Sequence, residues 1–171
     1  FIQGAAWNMV MNLNYYNRRG KDLQDFIDTI KRLSNTLPDA KAVDEIMGIE
    51  GNIRQAYYAA FDIIIDDFNM GSRTKQPPEN EVNALISFGN MMCYTETLRA
   101  VHQTQLNPTI SFLHTPGERR FSLCLDISEI FKPIIVDRII FKVLNKHALS
   151  TSHFDKKLNK CLLNEKGKKI F

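Results

Sequence analysis

The sequence lacks the features that mark several large protein classes. Its three cysteines, Cys93, Cys124 and Cys161, form an odd count with no CxxC spacing, so neither a disulfide framework nor a zinc ribbon is predicted. No uninterrupted apolar run approaches the roughly 18 residues of a membrane span, and no Gly-rich phosphate loop of the GxGxxG or GxxxxGK type occurs. These absences exclude nucleotide-binding folds that need such loops and favour a cytoplasmic protein with reduced thiols and no membrane partner.

The sequence also lacks a strong charge of either sign. The 171 residues carry a net charge of +3 at pH 7, with 44% hydrophobic and 24% charged residues, which is typical of one globular domain. Lysines crowd the end of the chain, and such runs are more typical of a solvated face than of a binding surface. Because the chain opens on Phe1 rather than Met, we expect it to be a piece of a longer polypeptide.

Helical periodicity dominates what is present. Apolar residues recur at three- and four-residue intervals. The segments with this pattern are Leu23–Leu33, Ile53–Phe68, Val82–Cys93 and Asp126–Asn145. Pro133 should kink or break the last of them, because proline removes a backbone donor. Strand character is confined to Ile110–Leu125, which we interpret as an ordered loop. The pattern predicts an all-α fold of about five to seven helices, with polar chemistry on the connecting segments.

Glu50 is the first candidate functional residue. It lies in MGIEGNIRQAYYAAF, where Gly48 and Gly51 interrupt the helical pattern of residues 39–47. One interpretation is a helix-start acid, favoured by the helix dipole. The other is a carboxylate that faces a cleft, with glycines permitting close backbone approach. In that case Arg54, one turn later, offers a donor to a phosphate.

His114 is the second candidate. It is followed by the turn-prone residues Thr115, Pro116 and Gly117, which places its imidazole on a loop. Taken alone, a structural histidine is the more frequent case, but a loop position favours function.

Asp126 and Glu129 form an acidic pair three residues apart. The sequence DISE ahead of an apolar run resembles a capping box, with Asp126 as the helix cap. The same spacing also puts both carboxylates on one helix face, where one binds a metal and the other supports it. Lys132 falls on the same side and suits a phosphate oxygen. Periodicity alone does not separate these interpretations.

Two carboxylates and an imidazole suit a divalent metal that handles phosphates, so a metal-dependent enzyme acting on nucleic acid is the leading hypothesis. The chemical rival is a nucleophile arrangement of Ser122 or Cys124 with His114, which lacks any nucleophile-elbow motif.

Together these segments resemble the CRISPR-associated integrase family, the metal-dependent DNA endonuclease of the adaptation module and the first numbered of the Cas proteins. The resemblance rests on GIEG, RTKQPPENEVNALISFGNMM, LNPTISFLHTPGERRFSLCLDISEIFKPIIVDR and CLLNEKGKKIF, in this order from about Asn12 to Phe171.

The resemblance implies a set of site residues. Glu50, His114 and Glu129 match the family's metal ligands for Mn²⁺ or Mg²⁺, and Asp126 matches the aspartate that accompanies them in the catalytic site. The resemblance further implies DNA contacts. Lys132 matches a basic residue near DNA, while Arg73 and Asn83 match structural or DNA-facing positions.

The resemblance also implies an activity. A family member joins the 3′-hydroxyls of spacer DNA to repeat phosphodiesters by transesterification, and water in place of the hydroxyl gives endonuclease activity. The implied partners are double-stranded DNA of spacer precursors and CRISPR repeat, a second copy in the full-length homodimer, and the small second numbered Cas protein. The family's amino-terminal β-domain is absent from these residues, so residues 1–171 are expected to be the helical catalytic lobe alone. A non-catalytic DNA-binding helical module and an assembly scaffold are the alternatives.

Overall fold

Helices make up most of the structure, as the sequence pattern predicts. A computed structural model of the chain describes residues 1–114, 121–158 and 160–171. The α-helices in this part are α1 (Ile2–Asn17), α2 (Gln24–Asn35), α3 (Val43–Ala59), α4 (Phe61–Ile64), α5 (Glu81–Val101), α6 (Ser122–Lys132), α7 (Arg138–Asn145) and α8 (Glu165–Ile170). The strands are β1 (Phe154–Lys157) and β2 (Lys160–Leu163). Across the described residues, no helix is both long and apolar enough to cross a bilayer.

Part of the core lies where α1, α3, α4 and α7 meet. Leu13, Tyr57, Phe61 and Phe141 are fully buried there. The Phe61 ring packs edge-on against Tyr57 and Phe141, with centroid separations of 5.2 Å and 4.6 Å. Edge-to-face rings add to the hydrophobic gain from their buried area, so this aromatic cluster holds α3 in place against the rest of the domain.

Helix α3 carries Glu50 in its middle rather than at its start. The helix runs from Val43 to Ala59 straight through Gly48 and Gly51, so the helix-start interpretation of Glu50 was wrong. A Cβ added at either glycine would meet nothing within 4 Å. Each glycine in a helix costs about 0.5 to 1 kcal/mol relative to alanine. Packing of the buried Ile53 and Tyr57 offsets that cost. The sequence pattern contains no measure of this packing, so it predicted an interruption at the two glycines.

Helix α5 starts where the sequence predicts. The Asn80 side chain accepts a hydrogen bond from the backbone N–H of Asn83 at 2.8 Å, which satisfies one of the unpaired donors of the first turn. Farther along, a Cβ at Gly89 would lie 2.4 Å from Cγ1 of Val136. This glycine therefore lets α5 approach the segment between α6 and α7 closely.

Pro133 breaks the predicted long helix, as expected. Helix α6 ends at Lys132, a π-helical turn spans Pro133–Asp137, and α7 follows. The Asn12 side chain donates to the Pro133 carbonyl at 2.7 Å, which ties this break to α1. Helix α6 begins at Ser122, four residues before Asp126, and its first residue has no side-chain cap. The interpretation of Asp126 as a helix cap was therefore wrong.

The hairpin of β1 and β2 is an element that the sequence analysis did not predict. The two strands pair antiparallel, with Phe154 opposite Leu163. Both residues are buried, as is Cys161, whose backbone N–H donates to the Pro78 carbonyl at 2.8 Å. The lysines of both strands are exposed. Because charged residues outnumber apolar ones in β1, the sequence does not show the pattern of a half-buried strand.

Candidate metal and phosphate site

The two glutamates predicted as metal ligands converge on one guanidinium. Glu50 lies on α3 and Glu129 on α6, and Arg54 lies between them. Arg54 Nε donates to Oε1 of Glu50, and Nη2 donates to Oε2 of Glu129. Since one planar group contacts both carboxylates, Glu50 and Glu129 lie close together although they are far apart in the chain.

A second cation completes the cluster. Lys132 Nζ lies 2.5 Å from Oε1 of Glu129, one turn along α6. The side chains of Arg54, Glu50, Lys132 and Glu129 are 20%, 18%, 13% and 11% exposed. Two carboxylates thus contact two cations in a partly buried cluster, where charge interactions are stronger than at an open surface.

Asp126 is buried beneath the histidine loop and holds it. Its Oδ2 accepts from the backbone N–H groups of Phe112 and Leu113 at 2.7 Å and 3.1 Å, and its Oδ1 lies 2.6 Å from His114 Nδ1. The carboxylate is fully buried, and these donors compensate for its lost hydration. A proton on Nδ1 facing Asp126 leaves Nε2 with a free lone pair, the arrangement by which a carboxylate prepares a histidine to bind metal. Residues 115–117 of the predicted turn lie outside the described residues.

The predicted ligands are not arranged as a finished coordination shell. Within residues 1–114, 121–158 and 160–171, no three histidine, cysteine, aspartate or glutamate side chains are grouped closely enough to hold an ion. The carboxylates of Glu50 and Glu129 contact Arg54 instead of an ion. Metal binding by Glu50, His114 and Glu129 therefore stays a prediction, and it requires these side chains to rearrange.

Sequence analysis missed Asp137, a buried acid behind this cluster. Burial raises the pKa of Asp137 and smaller effects oppose the rise, which leaves the pKa at about 7. These opposing effects are a hydrogen bond from Tyr57 and the positive charges of Arg54, Lys132 and Arg73. The signal in the sequence was a single acid in the apolar run PIIVDRII, where a charge must face either solvent or a buried partner.

Arg73, predicted to contact DNA, makes contacts within the protein. Its guanidinium donates to Asn83 Oδ1 at 2.9 Å and to Ser87 Oγ at 3.1 Å, and also to the Thr74 carbonyl. Burial lowers the pKa of Arg73. These bonds join the segment before α5 to that helix, so the structure supports a structural role. DNA contact by Arg73 stays a prediction.

The rival nucleophile arrangement finds no support in the geometry. Ser122 Oγ donates to the Thr109 carbonyl at 3.1 Å, and the His114 ring nitrogen that has a partner faces Asp126. Burial raises the pKa of the Cys124 thiol, which disfavours the reactive thiolate.

Comparison with known proteins decides the family. Residues 1–171 match the family described as CRISPR associated protein Cas1. The chain belongs to the Cas1 family. It is 49% identical over 172 residues to CRISPR-associated endonuclease Cas1 2 of Thermodesulfovibrio yellowstonii, and the match covers 99% of this chain and 52% of that protein. The chain spans about half the length of the curated Cas1 relatives it matches.

Solved structures show the same fold. A CAS1 protein from Thermotoga maritima superposes with a TM-score of 0.88 at 38% identity, over 99% of this chain and 53% of that one. A chain of a Cas6-RT-Cas1–Cas2 complex superposes with a TM-score of 0.89 at 19% identity, over 99% of this chain and 19% of that one. The described helices are therefore a Cas1-type helical unit, and the resemblance seen in the sequence is confirmed.

Proposed function

We propose that this chain is the catalytic lobe of a metal-dependent DNA endonuclease and integrase of CRISPR adaptation. In the proposed reaction, the 3′-hydroxyl of spacer DNA attacks a phosphodiester of the repeat, and the former 3′-oxygen of that phosphodiester leaves. The observation that carries the proposal is the convergence of Glu50 and Glu129 on one cationic group that is partly buried. Family membership indicates the same class of activity.

The donor set fits a divalent ion of the Mn²⁺ or Mg²⁺ type. Carboxylate oxygens of Glu50 and Glu129 are hard ligands, and Nε2 of His114 is an imidazole donor already oriented by Asp126. When bound, such an ion polarises the phosphodiester and stabilises the charge that develops on it. Asp126 then acts through His114, and we assign it to positioning the ring.

The two cations of this cluster, Lys132 and Arg54, suit a polyanionic substrate. Lys132 lies one turn from Glu129 on the same helix face, and its ammonium is held at 2.5 Å from that carboxylate. Positioned positive charge beside the reacting phosphate lowers the barrier without chemical change in the protein. Lys132 and Arg54 are therefore proposed to contact the DNA backbone, which fixes register but not sequence.

The proposed partners follow from the family rather than from contacts in this chain. They are double-stranded DNA, a second copy of the full-length protein in a homodimer, and the small second numbered Cas protein. A Cas1–Cas2 complex is among the structures that share this fold. Because the chain covers about half of its relatives, these partners are proposed for the whole protein.

Strand transfer by the full-length protein with Mn²⁺ tests the proposal. Glu50→Gln, His114→Ala and Glu129→Gln should each lower the rate about 100-fold or more, since each removes one ligand of the group that stabilises the transition state. Glu96→Gln is the matched control, because Glu96 is 70% exposed on α5. Helical content by circular dichroism should be unchanged in all four. Full activity of the His114 variant would contradict the ligand assignment. DNA binding that persists with no chelator-sensitive cleavage in the wild type would indicate a non-catalytic DNA-binding module instead.

A further inference from the structure

Arg54 contacts both carboxylates that the proposed function assigns to the metal ion. Its Nε and Nη2 each contact one carboxylate, on Glu50 and Glu129 respectively. Two carboxylates facing each other in a partly buried cleft repel strongly without a counter-charge. The guanidinium supplies that charge, and its planar fork matches two carboxylates at once.

A divalent ion and this guanidinium compete for the two carboxylates. Both are cations, and both need the same oxygen lone pairs of Glu50 and Glu129. Oε1 of Glu129 is also engaged, at 2.5 Å from Lys132 Nζ, so in this arrangement both oxygens of Glu129 already contact a cation. An ion that coordinates these same oxygens displaces the Arg54 contacts.

We infer that Arg54 is a built-in place-holder, which occupies the metal position in the ion-free protein and is exchanged for the ion when it binds. The inference rests on the proposed function, because it assumes that Glu50 and Glu129 are ligands. The exchange keeps the carboxylates together before binding, at the cost of affinity, because the Arg54 contacts compete with the ion. The released guanidinium stays tethered one turn from Glu50, within reach of a phosphate brought to the ion.

The competing account makes Arg54 a permanent support that orients the carboxylates while the ion is bound. The two accounts predict opposite changes in metal affinity when Arg54 is replaced. If Arg54 is a place-holder, replacing it frees the two carboxylates and tightens metal binding. If Arg54 is a support, replacing it misplaces the carboxylates and weakens metal binding. Metal affinity measured without DNA separates the two accounts and is independent of activity.

Calorimetric titration of Mn²⁺ into the purified chain provides the test. Arg54→Gln should bind Mn²⁺ about tenfold tighter than the wild type, a change of about 1.4 kcal/mol. Arg54→Lys keeps the charge but loses the fork, so it should retain most of that gain. Lys132→Gln is the matched control, because it removes a cation that contacts Glu129 and leaves in place the Arg54 guanidinium that joins both carboxylates, so its gain should be smaller. Circular dichroism confirms that each variant folds.

Four outcomes decide the matter. Tighter binding in both Arg54 variants, beyond that of the Lys132 variant, supports the exchange. If the wild type binds Mn²⁺ and Arg54→Gln binds it equally or more weakly, the place-holder is overturned and the proposed function stays intact. Wild-type affinity in Arg54→Lys, or an equal gain in Lys132→Gln, would show that the gain in Mn²⁺ affinity comes only from the loss of a positive charge. Either result also overturns the place-holder. Absence of Mn²⁺ binding in every protein overturns both the place-holder and the proposed metal site.

Discussion

Asp137 should make the stability of this domain fall as the pH rises from acid to neutral. Burial raises the pKa of Asp137 from 3.8 to about 7, because the charged form loses its hydration in the protein interior. The folded state therefore binds the proton more tightly than the unfolded chain does. The stabilising contribution of the protonated form is complete below pH 3.8 and is lost as the pH rises through about 7.

The size of the effect follows from the difference between the two pKa values. The shift means that Asp137 contributes about 4 kcal/mol to the free energy of unfolding at low pH, where it is protonated in both states. The contribution vanishes at high pH, where it is ionised in both states. Between pH 5 and pH 8, the part of the free energy of unfolding that depends on Asp137 falls by about 2 to 3 kcal/mol. Asp137→Asn keeps the shape and removes the titration, so its free energy of unfolding should not show this fall.

Urea denaturation at pH 5 and pH 8, without metal, measures the difference. The gap in unfolding free energy between wild type and Asp137→Asn should shift by about 2 to 3 kcal/mol in favour of the variant at the higher pH. Asp155→Asn is the control, because Asp155 lies exposed on β1 and should give parallel curves. A gap for Asp137→Asn that stays the same at both pH values would refute the reasoning.

Two further predictions concern helix packing and capping. Gly89→Ala should lower the free energy of unfolding by about 1 to 3 kcal/mol, because its Cβ would lie 2.4 Å from Val136. Gly51→Ala, where nothing lies within 4 Å, should instead raise it by about 0.5 to 1 kcal/mol, and the same direction of change in both would contradict this account. Asn80→Ala should cost about 1 kcal/mol, since it removes the acceptor for the Asn83 N–H; thermal denaturation unchanged from wild type would show that the cap contributes nothing.

The sequence predicted the helices whose apolar stripes are regular and missed the elements that tertiary contacts define. The break at Pro133 and the start of α5 at Asn80 both follow from local backbone chemistry, so they were predictable. Helix α3 continues through Gly48 and Gly51 because buried neighbours hold it. The hairpin after Thr151–His153 is short and lysine-rich, and its burial depends on contacts that no local pattern contains.

The candidate site shows a similar division. Spacing placed Glu129 and Lys132 on one face of α6, and the structure confirms that they pair. The burial of Asp126 against the histidine loop and the place of Arg54 between two carboxylates depend on how α3 and α6 meet. Sequence periodicity contains no measure of that distance, so the ion pair of Arg54 with Glu129 could not be foreseen.

The most direct test of the central claim is anomalous diffraction from crystals of this chain grown with Mn²⁺. The account predicts one strong anomalous peak within about 2 to 2.5 Å of ligand atoms of Glu50, His114 and Glu129, with Arg54 moved out of the position it holds between the two glutamates. A peak bound elsewhere, or crystals saturated with Mn²⁺ in which Arg54 still bridges the two carboxylates and no ion is present, would contradict it.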